Sequence, residues 1–265
     1  MGRIFHGLFV SQHSCDMGFI MSNEAWDIIY SAETFRLPEY DGWLDKYRGT
    51  WENAKNIIDL GCGSGVNTIF LSNQNVRTIA CDFSGRALER LKSILPGART
   101  LRFDMAEGLP FGDSLSDLII ADLSLHYFTK EKTSDILSDI HRALSESGYL
   151  LCRVNSVREY ENNENKDECF EIEHHVYKNA RMVKRFFDRT DIDEIFIGWD
   201  IKHTSEVIIG KYGGVKYAWE ICLKNEPLPA AETASVSNVS YTRHYKWYAP
   251  EGRGIQPGVH NKKDE

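Results

Sequence analysis

One stretch limits what this chain can fold into more than any other. Ile57-Ile58-Asp59-Leu60 is an apolar run of strand length, Gly61-Cys62-Gly63-Ser64-Gly65 is a glycine turn, and Val66 to Asn73 continues with helical character. A buried strand, a tight turn and a helix, in that order, open a parallel α/β sheet. Such a turn lets a ligand approach the backbone closely, and the helix N-terminus behind it offers unpaired N–H groups. A nucleotide-like ligand is therefore expected. The dinucleotide fingerprint asks for GxGxxG, but the position three after Gly63 is Val66, so the pyrophosphate signature is not met. That disfavours a nicotinamide dehydrogenase.

From about Asn56 to Lys224, short β-branched runs alternate with longer helix-period stretches, and no internal repeat is present. Strands are expected at Arg77 to Asp82, Thr100 to Asp104, Asp117 to Asp122 and Tyr149 to Val154, with two more near Ile201 to Ile209 and Lys216 to Leu223. Helices are expected over Gly85 to Leu95, stopped by Pro96-Gly97, and over Lys132 to Leu144, stopped by Ser147-Gly148. Thr190 to Asp193 reads as a capping box opening a short helix that ends at Gly198. Between them, Asn155 to Lys178 is polar and acidic and reads as a solvated insertion or lid.

The chemistry follows from three carboxylates. Asp59 precedes the glycine turn, and Asp82 and Asp104 close the next two expected strands. Carboxylates around such a turn repel phosphates, whereas they suit an ammonium group and ribose hydroxyls through charge-assisted hydrogen bonds. In a parallel sheet all three lie at one edge, near the switch point where such sheets bind ligands.

These residues, with Cys81-Asp82-Phe83-Ser84, Phe103-Asp104-Met105, Asp117-Leu-Ile-Ile-Ala and the later Leu125-His126-Tyr127-Phe128, resemble a class I S-adenosylmethionine-dependent methyltransferase. The likeness runs from about Trp51 to Lys224 and is to the small-molecule, type 11 or tellurite-resistance-like branch. It implies a Rossmann-like three-layer α/β sandwich whose seven-stranded, mostly parallel sheet has an antiparallel last strand. By resemblance, Asp59, Gly61, Cys62, Gly63 and Gly65 border the methionine part of S-adenosylmethionine, and Asp82 holds the ribose hydroxyls. Phe83 then flanks the adenine, Asp104 meets its amino group, Met105 donates a backbone N–H to the ring, and Asp122 completes the cofactor set.

Methyl transfer from a sulfonium is an in-line displacement that proximity and orientation accelerate, so a general base is optional. Where the acceptor must lose a proton, Asp122, His126 and Tyr127 are the candidates, with a pocket-wall role for His126 and Tyr127 as the alternative. Cys62 reads as a small space-filler rather than a nucleophile. Glu171, Glu173, His174, His175 and Tyr177 cluster in the lid, but adjacent histidines on a strand point to opposite faces, so a half-exposed hairpin strand pairing with Met182 to Phe187 is expected rather than a metal site. Trp26, Tyr30, Tyr40, Trp43, Tyr47 and Trp51 either cap an acceptor pocket or staple N-terminal helices onto the sheet.

Composition narrows the partners. Thirty-nine acidic against 31 basic residues give a net charge of −8, which disfavours a surface built on nucleic-acid phosphate or an anionic membrane. Six cysteines without a CxxC pair fit a reducing, cytoplasmic setting. The division expected is an N-terminal extension and helical cap over 1–50, a methyltransferase domain over 51–224 with its lid at about 155–178, and a linker and tail over 225–265. Residues 1–20 read as a frayed extension without a membrane span. In the tail, Tyr241 to Tyr248 interleaves bases with aromatics, which suits packing on a protein surface or stacking on RNA bases. The expectation is thus a methyltransferase acting on a small molecule. An RNA methyltransferase guided by the tail and a non-catalytic cofactor sensor or scaffold are the alternatives.

Overall fold

The structure is a computed structural model, and it describes residues 23–32, 35–162, 166–179, 182–211 and 214–226. After helix α1 (Asn23–Ser31) and the short α2 (Arg48–Trp51), the chain alternates β1 (Ile57–Leu60), α3 (Val66–Asn73), β2 (Thr78–Asp82), α4 (Gly85–Ile94) and β3 (Arg99–Arg102). Next come β4 (Ser116–Asp122), α5 (Lys130–Ala143), β5 (Leu144–Asn155) and α6 (Val157–Glu161). Short strands β6 (Phe170–Glu173), β7 (Val176–Lys178) and β8 (Val183–Arg185) precede α7 (Arg189–Ile195), β9 (Asp200–Lys211) and β10 (Gly214–Lys224).

Seven strands form one sheet in the order β3-β2-β1-β4-β5-β10-β9. β1, β2, β3, β4 and β5 run parallel, and β10, the last strand of the chain, inserts antiparallel between β5 and β9. This is the Rossmann-like α/β sheet, with its last strand antiparallel, that the sequence resemblance implies. Side-chain alternation gives it two buried faces. Ile58, Leu60, Ile119, Ala121, Leu150 and Cys152 pack on one side with the α5 residues Ile136, Leu137 and Ile140. Ile57, Leu118, Ile120 and Leu151 pack on the other, against Trp43, Leu44 and Trp51. Both faces of each central strand are covered, so these strands read as continuous apolar runs rather than alternating ones.

Several boundaries differ from the sequence reading, each for a local reason. β3 ends at Arg102, so Asp104 lies past the strand and caps a 3-10 turn, Met105–Glu107, by accepting from the Ala106 N–H at 2.9 Å. β5 begins at Leu144, directly after α5, because Leu144 pairs with Ser116 across a register irregularity. The capping box belongs to Asp188 and Asp191 rather than to Thr190 and Asp193; the two side chains accept from each other's backbone N–H groups. The lid is not simply a solvated insertion, since β6, β7 and β8 form a three-stranded antiparallel sheet in that order.

Asn225 is buried, and its side-chain amide donates to the carbonyls of His141, Leu144 and Ser145, which ties it to the end of α5 rather than to a linker. The expected frayed segment 1–20 and the aromatic tail Tyr241 to Tyr248 lie outside the described residues. Among the described residues, no helix is long and apolar enough to cross a membrane.

Candidate active site

The carboxyl ends of the parallel strands open into a cavity of about 860 Å³, within the range typical of small-ligand sites. The glycine turn forms its floor. Gly61 adopts φ +71°, and a Cβ there would stand 2.4 Å from Ser124 Cβ, so only glycine lets the loop after β4 approach the turn. The Gly61 and Cys62 N–H groups both donate to the Cys81 carbonyl, at 2.8 and 2.9 Å, which ties the turn to β2.

Asp82, the last residue of β2, accepts from the Gly63 N–H and from the Ser84 N–H, each at 2.8 Å. Burial pushes its carboxyl up to about 6, against the pull of these donors. Phe83, Asp104 and Met105 line the same end of the cavity, together with Phe103. Cys62 also lines it, and burial holds its thiol well above the usual range, so a reactive thiolate is disfavoured.

Two residues of the sequence-derived cofactor set do not line the cavity. Asp59 is buried behind the turn, where it accepts from Thr68 Oγ1 at 2.7 Å and burial pushes its carboxyl up to about 7. Gly65 caps α3 in a left-handed conformation, φ +86°, and its missing Cβ makes room for Leu91 of α4. Both shape the turn from beneath.

The opposite end of the cavity holds Asp122, the last residue of β4, and His126 and Tyr127 just past that strand. Asp122 is gripped by Arg153, which is fully buried and also pairs with Asp41 at 2.7 Å. The guanidinium lies 4.5 Å from the Trp43 ring centroid, and Trp43 Nε1 donates to Asn67 at 2.9 Å. His126 is 1% exposed, and among the described residues neither ring nitrogen has a hydrogen-bond partner. Burial, followed by the ammonium groups of Lys216 and Lys184, keeps the imidazole well below its usual pKa and hence neutral.

Helix α1 closes over this space. Trp26 and Tyr30 line it, with Trp26 edge-on to Tyr127 at 5.3 Å. Ser84 Oγ and the Arg86 N–H donate to Asp27, and Arg90 donates to the Tyr30 and Ala32 carbonyls, which fastens α1 to α4. The aromatic group foreseen in the sequence therefore divides. Trp26 and Tyr30 cap the cavity, whereas Trp43, Tyr47 and Trp51, with Tyr40 against them, staple the following segment onto the sheet.

Asp41, Asn67 and Arg153, and the lysines Lys184 and Lys216, escaped sequence reasoning. For Arg153 a signal exists: a charged residue inside the apolar run Leu150 to Val154 must find buried partners. Asp41 lies in an irregular segment that carries no such mark.

The lid histidines need a correction. His174 and His175 occupy the turn between β6 and β7, not a strand, and their rings stack at 3.8 Å, so the opposite-faces argument against a shared ligand fails. His174, His175, Asp188 and Asp191 bring ligand atoms within 4.8 Å of one another. Asp191 is already committed, however, to His175 Nδ1 at 2.6 Å, to Arg185 at 3.1 Å and to its capping box.

The family model described as a methyltransferase domain matches residues 57–148, the stretch that carries the turn and the cavity floor. An uncharacterized methyltransferase of Synechocystis is 34% identical over 95 residues, which cover 36% of this chain and 44% of that protein. The tRNA N(3)-cytidine methyltransferase of Mus musculus is 25% identical over 244 residues, covering 84% of this chain and 61% of that one. A solved structure of 1,6-didemethyltoxoflavin-N1-methyltransferase of Burkholderia thailandensis, holding 1,6-didemethyltoxoflavin and S-adenosylhomocysteine, shares the fold. Its TM-score is 0.53 at 16% identity, covering 77% of this chain and 80% of that one. The chain thus spans about half the length of the curated relatives it matches. With the strand order and the glycine turn already established, residues 57–148 carry a methyltransferase domain on the class I fold, of the kind that takes S-adenosylmethionine as methyl donor.

Proposed function

We propose that the protein transfers a methyl group from S-adenosylmethionine to a small-molecule acceptor held beneath α1, releasing S-adenosylhomocysteine. The observation that carries this reading is one continuous cavity, which runs from Asp82 and Asp104 to His126 under a helix fastened by Asp27 and Arg90. The residues fit the donor. Gly61, without a Cβ, lets the Ser124 loop pack against the turn, and the Asp82 carboxylate, which accepts from the Gly63 and Ser84 N–H groups, lines the cavity with lone-pair capacity left for a ribose hydroxyl. Phe83 supplies an apolar face for the adenine, and Asp104 with Met105 its polar edge. Asp59 and Gly65 support the turn without touching the ligand.

When bound, the donor supplies a methyl group on a sulfonium, open to in-line displacement. The chain's own contribution is to position the acceptor, exclude water and, where needed, remove a proton. Neutral His126 has an unshared ring lone pair for that proton. Asp122, with its charge matched by Arg153, orients the wall rather than serving as the base. Trp26, Tyr30 and Tyr127 enclose the acceptor.

Calorimetry with S-adenosylhomocysteine tests the donor half, and loss of the donor's methyl group in the presence of an acceptor panel tests the transfer. Binding without turnover on any acceptor would favour a sensor or scaffold. An RNA acceptor is the second reading, favoured by the alignment with the mouse tRNA methyltransferase over 84% of this chain. Salt-dependent RNA binding that disappears on deleting residues 241–248 would support it. The net charge of −8 and the covering by α1 argue for the small molecule.

A further inference from the structure

We propose that the acceptor carries an anionic group, a carboxylate or a phosphate, which binds between the ammonium groups of Lys184 and Lys216 beside His126. This deepens the small-molecule methyltransferase reading and rests on it.

The topology delivers the two lysines from different elements. Ala218 of β10 pairs with Asn155, the last residue of β5, so Lys216 lies two residues beyond that end, on the edge where the parallel strands finish. β10 stands four interstrand steps from β2, roughly 19 Å at about 4.8 Å per step. Lys216 is thus at the far end of the cavity from Asp82. Lys184 is the middle residue of β8, in the lid; Val183 and Arg185 on either side are buried the other way, and Lys184 lines the cavity.

The charges there do not balance. Lys216 has Glu159 at 3.4 Å and the Asn155 amide oxygen at 3.3 Å, while among the described residues the Lys184 ammonium has no ion pair and no side-chain hydrogen bond. Burial and the neighbouring Lys216 ammonium both lower the Lys184 pKa. Two ammonium groups thus share one carboxylate at the edge of an apolar enclosure, a costly arrangement that a bound anion relieves.

A third group points to the same place. His126 is 1% exposed, carries two ring nitrogens without a partner among the described residues, and feels both lysines. In its neutral state one nitrogen is an N–H donor toward the anion, and the other remains available to the reacting end of the acceptor. The residues assigned to the ribose and adenine lie at the other end, near Asp82 and Asp104, so the lysines are left for the acceptor.

The test is calorimetry on the full-length protein saturated with S-adenosylhomocysteine, using charged probes and their neutral counterparts. The pairs are 4-hydroxybenzoate with 4-hydroxybenzamide, anthranilate with anthranilamide, and cytidine 5′-monophosphate with cytidine. At least one charged member is expected to bind ten times more tightly than its counterpart, and the pair that does so distinguishes carboxylate from phosphate. Lys184→Met should erase that preference, Lys184→Arg should retain it, and both should leave S-adenosylhomocysteine affinity within twofold. The proposal is overturned if no pair favours its charged member, including by failing to bind at all. It is equally overturned if Lys184→Met keeps the preference, or if that variant weakens S-adenosylhomocysteine by the same factor, which would place the lysine on the donor's own carboxylate. Failure of the wild-type protein to bind S-adenosylhomocysteine would instead remove the methyltransferase reading beneath it.

Discussion

Arg153 and Asp122 are register partners on β5 and β4, and the guanidinium grips the carboxylate through two hydrogen bonds, Nε to Oδ1 at 2.7 Å and Nη2 to Oδ2 at 3.0 Å. Arg153 is fully buried and its guanidinium continues to Asp41, so one cation balances carboxylates from a strand end and from the segment that precedes the sheet. Its position beside the cavity makes it the bridge between the N-terminal segment and the catalytic edge.

Replacing Arg153 by Met removes a fully buried cation and leaves the carboxylates of Asp122 and Asp41 without it. Breaking a buried pair in this way costs about 3–5 kcal/mol. Urea denaturation at pH 7 should show a loss of that size, and Arg153→Lys should recover only part of it, because an ammonium cannot reproduce the bidentate fork. A variant as stable as the wild type would mean that water already screens the triad.

Asp82 predicts a pH dependence of donor binding. Its free-state value of about 6 is raised, and accepting ribose hydroxyls favours the ionised form, so binding pulls that value down. The sign follows: affinity for S-adenosylhomocysteine is full above about pH 7 and weakens as pH falls through 6, by about tenfold per unit at the limit. Calorimetry at pH 7 and pH 5 reads it directly. Asp82→Asn should bind about tenfold more weakly at pH 7 and show little further change at pH 5; a retained pH step would assign the titration to another group.

The sequence made the cofactor end legible because its constraints are local. Leu60 to Val66 must turn within a few residues, and the strand and helix on either side of that turn stand where the sequence placed them, at Ile57–Leu60 and Val66–Asn73. The acceptor end was not legible because it is assembled from distant pieces. Lys184 sits on β8, within the hairpin strand expected at Met182 to Phe187, but nothing local to that strand says that its side chain faces the cavity, and Lys216 enters only through the register of β10 on β5. The opposite-faces argument for His174 and His175 failed for the same reason: it assumed a continuous strand where the chain makes a two-residue turn.

His126 predicts an acid-sensitive increment of stability. Its folded pKa is depressed by burial and by the two lysines, so the unfolded chain takes up a proton near pH 6.5 that the folded protein does not. The stability it contributes is therefore present above that value and lost as pH falls below it, at about 1.4 kcal/mol per unit, or about 2 kcal/mol by pH 5. His126→Leu lacks this loss. Comparing urea midpoints of the two proteins at pH 7 and pH 5 cancels the carboxylates common to both; a difference that stays constant with pH would show that the imidazole protonates freely in the folded state.

Two glycines separate backbone strain from simple occupancy. Gly65 sits at φ +86°, a conformation that costs an L-residue about 1–2 kcal/mol, and an added Cβ would lie 2.5 Å from Leu91 Cδ1 in a fully buried contact between α3 and α4. Leu91 has nowhere to retreat, so overpacking adds about 1–3 kcal/mol. Gly97, in the turn after α4, is exposed and would place its Cβ in open space without a positive φ. Gly65→Ala should therefore lose about 2–5 kcal/mol by urea denaturation, while Gly97→Ala stays within about 0.5 kcal/mol of the wild type or gains slightly from a stiffer unfolded chain. Because Gly65 lies outside the cavity lining, the Gly65→Ala protein that remains folded should bind S-adenosylhomocysteine almost as tightly as the wild type. A stable variant with lost binding would reverse the assignment and put Gly65 at the ligand.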